Sequence, residues 1–104
     1  ISARDIFDIA STGGAETLGF ERVGRIETGW AADLALFDVN RFEYAGALED
    51  PAAALIFAGY SHGTTHTIVN GKVVVRDGQL TGIDEETLFR DGNAAAQRLL
   101  AQAR

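Results

Sequence analysis

The sequence predicts an α+β chain in which short strands and hairpins carry flanking helices, and three observations predict it. Asn70-Gly71 stands between two apolar runs in residues 65–80, THTIVNGKVVVRDGQL. Residues 31–39, AADLALFDV, alternate as a strand does. Residues 84–104 place apolar side chains at helical spacing behind an acidic start.

Taken in order, the chain opens with Ser2 as a helix N-cap and Asp5 as a weaker form of the capping-box acid. Ile6, Ile9, Ala10 and Gly13 share one side of this helix with Phe7 beside them, and Arg4, Asp5 and Asp8 make the wet side. Gly13-Gly14 is expected to break or bend it, and a second turn over residues 15–18 to end at Gly19. The glycine pair lacks the preceding strand and the partner residues of a phosphate loop, so it reads as close backbone packing. Residues 23–26 are predicted to form a short strand, followed by a turn with Gly29 at a position of positive φ. In residues 31–39, Leu34 and Leu36 point one way and Ala35, Phe37 and Val39 the other.

Residues 41–49 read as a loop. Asp50-Pro51 then opens a short apolar helix, with Asp50 as N-cap, that Gly59 stops. Asn-Gly between apolar runs is the strongest short-range hairpin signal, because a type I′ turn needs positive φ at both central residues. The register that follows pairs Val69 with Lys72, Ile68 with Val73, Thr67 with Val74 and His66 with Val75. Both sheet faces are then apolar, so the hairpin requires packing on both sides. Asp77-Gly78 is a second turn that brings Gln79-Leu80 back. Asp84 caps the last helix, Glu85 and Glu86 sit in its first turn, and Leu88, Gly92, Ala95, Leu99 and Ala103 form its core stripe. Phe89, Ala96 and Leu100 widen that stripe.

Composition narrows the function. The chain has 104 residues, 46% hydrophobic and 23% charged, as a globular protein does. A net charge of −6 argues against nucleic acid or an anionic membrane as a partner. No apolar run reaches the ~20 residues of a membrane span. With no cysteine there is no disulfide framework and no thiolate nucleophile, which fits a cytoplasmic setting. The sequence also has no methionine and begins with a helix start under way, as a piece of something longer would.

Several residues invite sharper readings. His62 and His66 stand four apart in HGTTH, but Gly63, Thr64 and Thr65 disfavour a helix. In a strand that spacing is about 13 Å, too far for one ion. The chain also has no HExxH pattern. Asp33 and Asp38 flank a strand on opposite faces, and Asp33 reads as a turn or backbone partner. Ser11 and Thr12 read as helix-end caps rather than nucleophiles. Trp30 and Tyr60 have the shape to stack a planar base, and more simply serve a core or interface. Phe57 and Phe89 fall at helix-core spacing.

Four stretches now stand in a telling order: ASTGGAETLGF, VGRIETGWAADLALFD, DPAAALIF and IVNGKVVVRDGQL. In that order they resemble the C-terminal end of amidohydrolase-superfamily enzymes of the cytosine deaminase and chlorohydrolase-like branch. Through DPAAALIF and the preceding ALFDVNRFEYAGALEDP, the chain is most similar to 8-oxoguanine deaminases and triazine (hydroxydechloroatrazine-type) aminohydrolases. The resemblance implies a catalytic (β/α)8 barrel, absent from this chain except for its last helix, and a small β domain of composite, urease-like build. Residues 1–20 resemble the end of the barrel, and residues 21–104 the C-terminal part of the small β domain plus its closing helix. The family holds its metal with an early His-x-His pair, two later histidines and an aspartate. None of the matching positions is such a ligand, so no catalytic, cofactor-binding or metal residue is expected in this chain. One departure is Trp30, where the family usually has lysine after the turn glycine.

The resemblance implies the C-terminal structural part of a metal-dependent hydrolase that deaminates a purine-like or triazine ring. Zinc or iron in the full-length parent would generate the attacking hydroxide. This chain alone is expected to be inactive, with the barrel portion of the parent, or another copy of itself, as partner. The alternatives are a stand-alone oligomerisation or protein-interaction module, and a two-histidine metal binder.

Overall fold

A computed structural model of the chain describes residues 1–58 and 63–104. It opens with α1 (Ala3–Asp8), a π turn over Ile9–Gly13 and α2 (Gly14–Leu18). Ser2 caps α1 in a full capping box, accepting from the Asp5 backbone N–H while the Asp5 carboxylate accepts from that of Ser2 at 2.7 Å. Gly13 and Gly14 both keep right-handed helical angles, so of the break or bend expected there the break does not occur and a π turn stands at the pair. The helix widens instead. Ser11 and Thr12 donate back to the carbonyls of Phe7 and Asp8, at 2.6 and 3.2 Å, rather than capping an end. Such back-bonding loosens a helix, and a Cβ at Gly13 would stand 3.2 Å from the Asp8 carbonyl oxygen, so glycine fits the wide turn. Gly19, at φ +74°, ends α2 as expected.

Residues 23–26 are not a strand. Arg22 and Gly24 hold φ of +58° and +93°, which extended backbone cannot accommodate. The segment curls instead, with Ala31 donating back to the Arg22 carbonyl at 2.9 Å. Gly29 has the expected positive φ.

The sheet is antiparallel, in the order β1 (Leu34–Leu36), β2 (His66–Val69), β3 (Lys72–Arg76) and β4 (Gln79–Leu80). β1 is shorter than the alternation in residues 31–39 suggests. Asn70 and Gly71, at φ +49° and +79°, make the expected tight turn, and Asp77-Gly78 repeats it before β4. The register holds next to the turn, with Val69 opposite Lys72 and Ile68 opposite Val73, and then slips. Thr67 faces Val75 and His66 faces Arg76, not Val74 and Val75, because the pairing shifts by one residue between Thr67 and Ile68. Thr81 anchors the bulged strand: its hydroxyl donates to the Val73 carbonyl at 2.8 Å and its N–H to that of Val74 at 2.9 Å. One extra residue reverses the alternation, so Val73 and Val75 do not share a face.

α3 (Pro51–Phe57), capped by Asp50, packs against α1. Gly59, expected to stop it, lies outside the described residues; Ala58 already leaves the helix with extended angles. Residues 41–49 contain a 3-10 turn, Phe42–Tyr44, which the loop reading missed. The buried apolar residues among those described are Ala3, Tyr44 and Ala54. α4 (Glu85–Ala103) begins at the Asp84 cap as expected, but no residue of it is buried. Leu99 is 69% exposed, Phe89 72% and, on α3, Phe57 66%, against the core roles their spacing predicts.

The whole is open. Its radius of gyration is 17.8 Å, where a compact chain of this length has about 13 Å. Its accessible surface is 8322 Å², where a monomer of this mass exposes about 5,700 Å². The apolar stripes form as sequence periodicity dictates and then find little to pack against.

Candidate functional site

The polar side chains singled out by sequence serve the backbone around them. Asp33, just before β1, accepts the Asn70 N–H at 2.7 Å, and the neighbouring Ala32 carbonyl accepts the Gly71 N–H at 2.9 Å. The β2–β3 turn is thus pinned to the start of β1, as the turn-partner reading of Asp33 expects. Asp38 accepts the Asn40 N–H at 2.9 Å in a local Asx turn. The structure does not bring the two carboxylates together as an acid–base pair on one strand face. The Ser11 hydroxyl donates its proton to the Phe7 carbonyl, so it has no base poised beside it in this bond.

His66 opens β2, half-buried, between Leu36 on one side and Arg76 on the other, with its Nδ1 3.3 Å from the Thr65 hydroxyl. His62 lies outside the described residues, as does Tyr60. Among the described residues no group of three or more His, Cys, Asp or Glu stands close enough to hold a metal ion. No helix among them is long and apolar enough to cross a membrane.

Trp30 borders a shallow concavity of about 240 Å³ lined also by Thr12, Phe20, Val23 and Arg25. The Arg25 guanidinium stands 6.0 Å from the centroid of the Trp30 ring, at the outer reach of a cation–π contact. One face of the ring is therefore shared with Arg25 rather than open to stack a base. The groove between β4 and the first turns of α4, about 520 Å³, is lined by Leu80, Glu85, Leu88, Phe89, Gly92 and Asn93. It is apolar, and the Glu85 carboxylate accepts the Leu80 N–H at 2.6 Å across its floor.

The carboxyls of Asp5 and Asp84 are shifted, and both bond to groups at a helix start. The Ser2 backbone N–H, then the Ser2 hydroxyl, hold Asp5 below the ordinary carboxylate value. The Thr87 hydroxyl, then the Thr87 N–H, do the same for Asp84. The shifts report helix starts rather than a catalytic pair.

The class these features define is a mixed helix and antiparallel-sheet segment whose described polar groups hold its own turns and helix ends. The model of the amidohydrolase family matches residues 1–74, and the chain belongs to that family. It is 38% identical over 96 residues to hydroxydechloroatrazine ethylaminohydrolase of Pseudomonas sp. (strain ADP), covering 92% of this chain and 20% of that protein. It is 35% identical to 5-methylthioadenosine/S-adenosylhomocysteine deaminase of Natronomonas pharaonis, covering 99% of this chain and 23% of the relative. Atrazine chlorohydrolase from Arthrobacter aurescens TC1, solved with zinc, superposes with a TM-score of 0.84 at 34% identity, over 89% of this chain and 20% of the enzyme. An adenosine deaminase from Xanthomonas campestris with bound zinc superposes at 0.85, with 30% identity, over 96% and 23%. The chain thus spans about a fifth of the length of the relatives it matches.

Proposed function

We propose that this chain is the C-terminal structural part of a metal-dependent amidohydrolase that hydrolytically deaminates a purine-like or triazine ring. The reaction in that reading adds water at the amino-bearing ring carbon and expels ammonia, leaving the ring carbonyl. The substrates named for the relatives, a triazine on one side and adenine nucleosides on the other, support a planar nitrogen heterocycle with an exocyclic amine. The sequence motifs favour an 8-oxoguanine-type purine within that class. In this reading the metal, zinc or iron, is held by residues of the parent's barrel; the zinc of the solved relatives supports a metal-dependent parent.

The observation that carries the reading is the unfinished surface. The chain exposes 8322 Å², about 2,700 Å² beyond a compact monomer of its mass, more than one side of a standard protein interface covers. In this reading residues 1–20 form the helical end of a catalytic barrel, and residues 21–104 the end of a small β domain with its closing helix. The exposed sides of α1, α2 and α3 then face the barrel, and β1 offers its free edge to further strands.

Complementation tests it. The Pseudomonas hydroxydechloroatrazine ethylaminohydrolase is truncated by the C-terminal stretch that this chain matches, and the chain is fused in its place. Ethylamine release from hydroxydechloroatrazine by the fusion, absent from the truncated enzyme and from the 104-residue chain supplied with zinc, is the expected result. Deamination by the chain alone overturns the reading. So does a fusion that folds, holds zinc and stays as inactive as the truncation.

A further inference from the structure

We propose that α4 is a self-association helix, pairing antiparallel with α4 of a second copy of this chain. Its apolar face is open: Leu99 is 69% exposed, and a Cβ added at Gly92 would meet nothing within 4 Å. That face is built in layers. At the a and d positions of a heptad stand Leu88, Gly92, Ala95 and Leu99, with Phe89 and Ala96 on one flank and Asp91 and Arg98 on the other. Set antiparallel, Leu88 of one copy meets Leu99 of the second, and Gly92 meets Ala95. Two Leu–Leu layers then bracket two Gly–Ala layers that let the backbones approach closely.

Charge chooses both the occupant and the direction. In an antiparallel pair the flank carrying Asp91 and Arg98 faces its own copy, so Asp91 of each chain reaches Arg98 of the other, twice over. The acidic start of α4, Asp84-Glu85-Glu86, likewise approaches the end that carries Arg104. Opposed helix dipoles reinforce that order. A parallel pair would lay the three acids beside three more and leave Asp91 opposite Ala96. The helix is therefore complementary to itself in one orientation, and the inference stands apart from the catalytic reading above.

Sedimentation velocity on the 104-residue chain tests it, alone and with Asp91→Arg and Arg98→Asp. Both sites are exposed on the helix, and far-UV circular dichroism checks that each variant keeps its helices. The wild type is expected to dimerise at about 100 μM, and each single variant, which turns two attractions into two repulsions, to associate about tenfold more weakly or worse. Mixing the two variants should restore a dimer, since the flank of one chain is then wholly basic and that of the other wholly acidic. A monomeric wild type overturns the inference, as does association or aggregation indifferent to these changes, or a mixture no tighter than its parts.

Discussion

Gly24→Ala probes how the N-terminal helix holds the loop that follows it. Gly24 sits at φ +93°, and a Cβ there would lie 3.1 Å from the carbonyl carbon and oxygen of Ser11 and 3.2 Å from the Cα of Thr12. All three atoms are main chain, so no rotamer change relieves the contact. Gly29, in the same loop, has φ +84° but nothing within 4 Å of its Cβ position. The two glycines therefore separate two costs. Gly29→Ala carries only the left-handed backbone, about 1–2 kcal/mol. Gly24→Ala adds overpacking against the π turn, about 1–3 kcal/mol more, for a total of about 2–5 kcal/mol. Trp30 is the only tryptophan and lies in this loop, so urea unfolding followed by its fluorescence reads the local structure. The midpoint should fall for both variants and clearly further for Gly24→Ala. Equal losses would refute the packing argument, and an unchanged midpoint for Gly24→Ala would refute the loop's placement on the helix.

Two more substitutions follow from the hydrogen bonds. Asp84→Ala removes the acceptor for the Glu86 and Thr87 N–H groups and for the Thr87 hydroxyl at 2.7 Å. The first turn of α4, roughly four residues, should fray, with a matching drop in far-UV helical ellipticity. Acid should do the same to the wild type. Asp84 is held below the ordinary 3.8 in the folded chain, so its contribution is complete above that value and is lost as pH falls through 3.8 and below. Helicity that is flat to lower pH would contradict the cap. Asp33→Ala removes the 2.7 Å bond to Asn70, worth about 1 kcal/mol; exchange of the Asn70 amide should quicken roughly fivefold, while Asp38→Ala leaves it unchanged.

Sequence alone made the local chemistry legible. Ser2, Asp50 and Asp84 cap the helices assigned to them, Asn70-Gly71 and Asp77-Gly78 make the turns, and Asp33 is the backbone partner its position suggests. Each depends on groups within a few residues or on one turn. Two readings failed where a distant group decides. The bulge in β3 depends on Thr81 reaching back to Val73 and Val74, and no period-2 rule anticipates it. Residues 23–26 alternate like a strand but hold positive φ at Arg22 and Gly24, with the loop folded onto the π turn. The Gly13-Gly14 pair, read as a break or a bend, marks a widened turn through which the helix continues. Of the polar residues that the sequence offered as site candidates, Asp33 and Asp38 accept turn N–H groups and Ser11 donates back to its own helix.

The largest disagreement concerns burial, and it locates what is missing. Phe57, Leu88, Phe89 and Leu99 stand at core spacing and are exposed. Periodicity records the neighbours a helix evolved beside, whereas exposure records the neighbours it has in 104 residues. Two sets stand out among the exposed helical residues. Ile9 and Leu18 lie on the N-terminal helical run and Phe57 on α3, the two elements that pack on each other. Leu88 and Leu99 lie on α4, beside Asp91 and Arg98, which do answer themselves when the helix is inverted. A larger enzyme body should therefore cover the first set and leave the second to a symmetric contact. Solvent exchange measured on the fusion described above separates them: protection should appear in α1 and α3 on joining the body, and in α4 only as concentration rises.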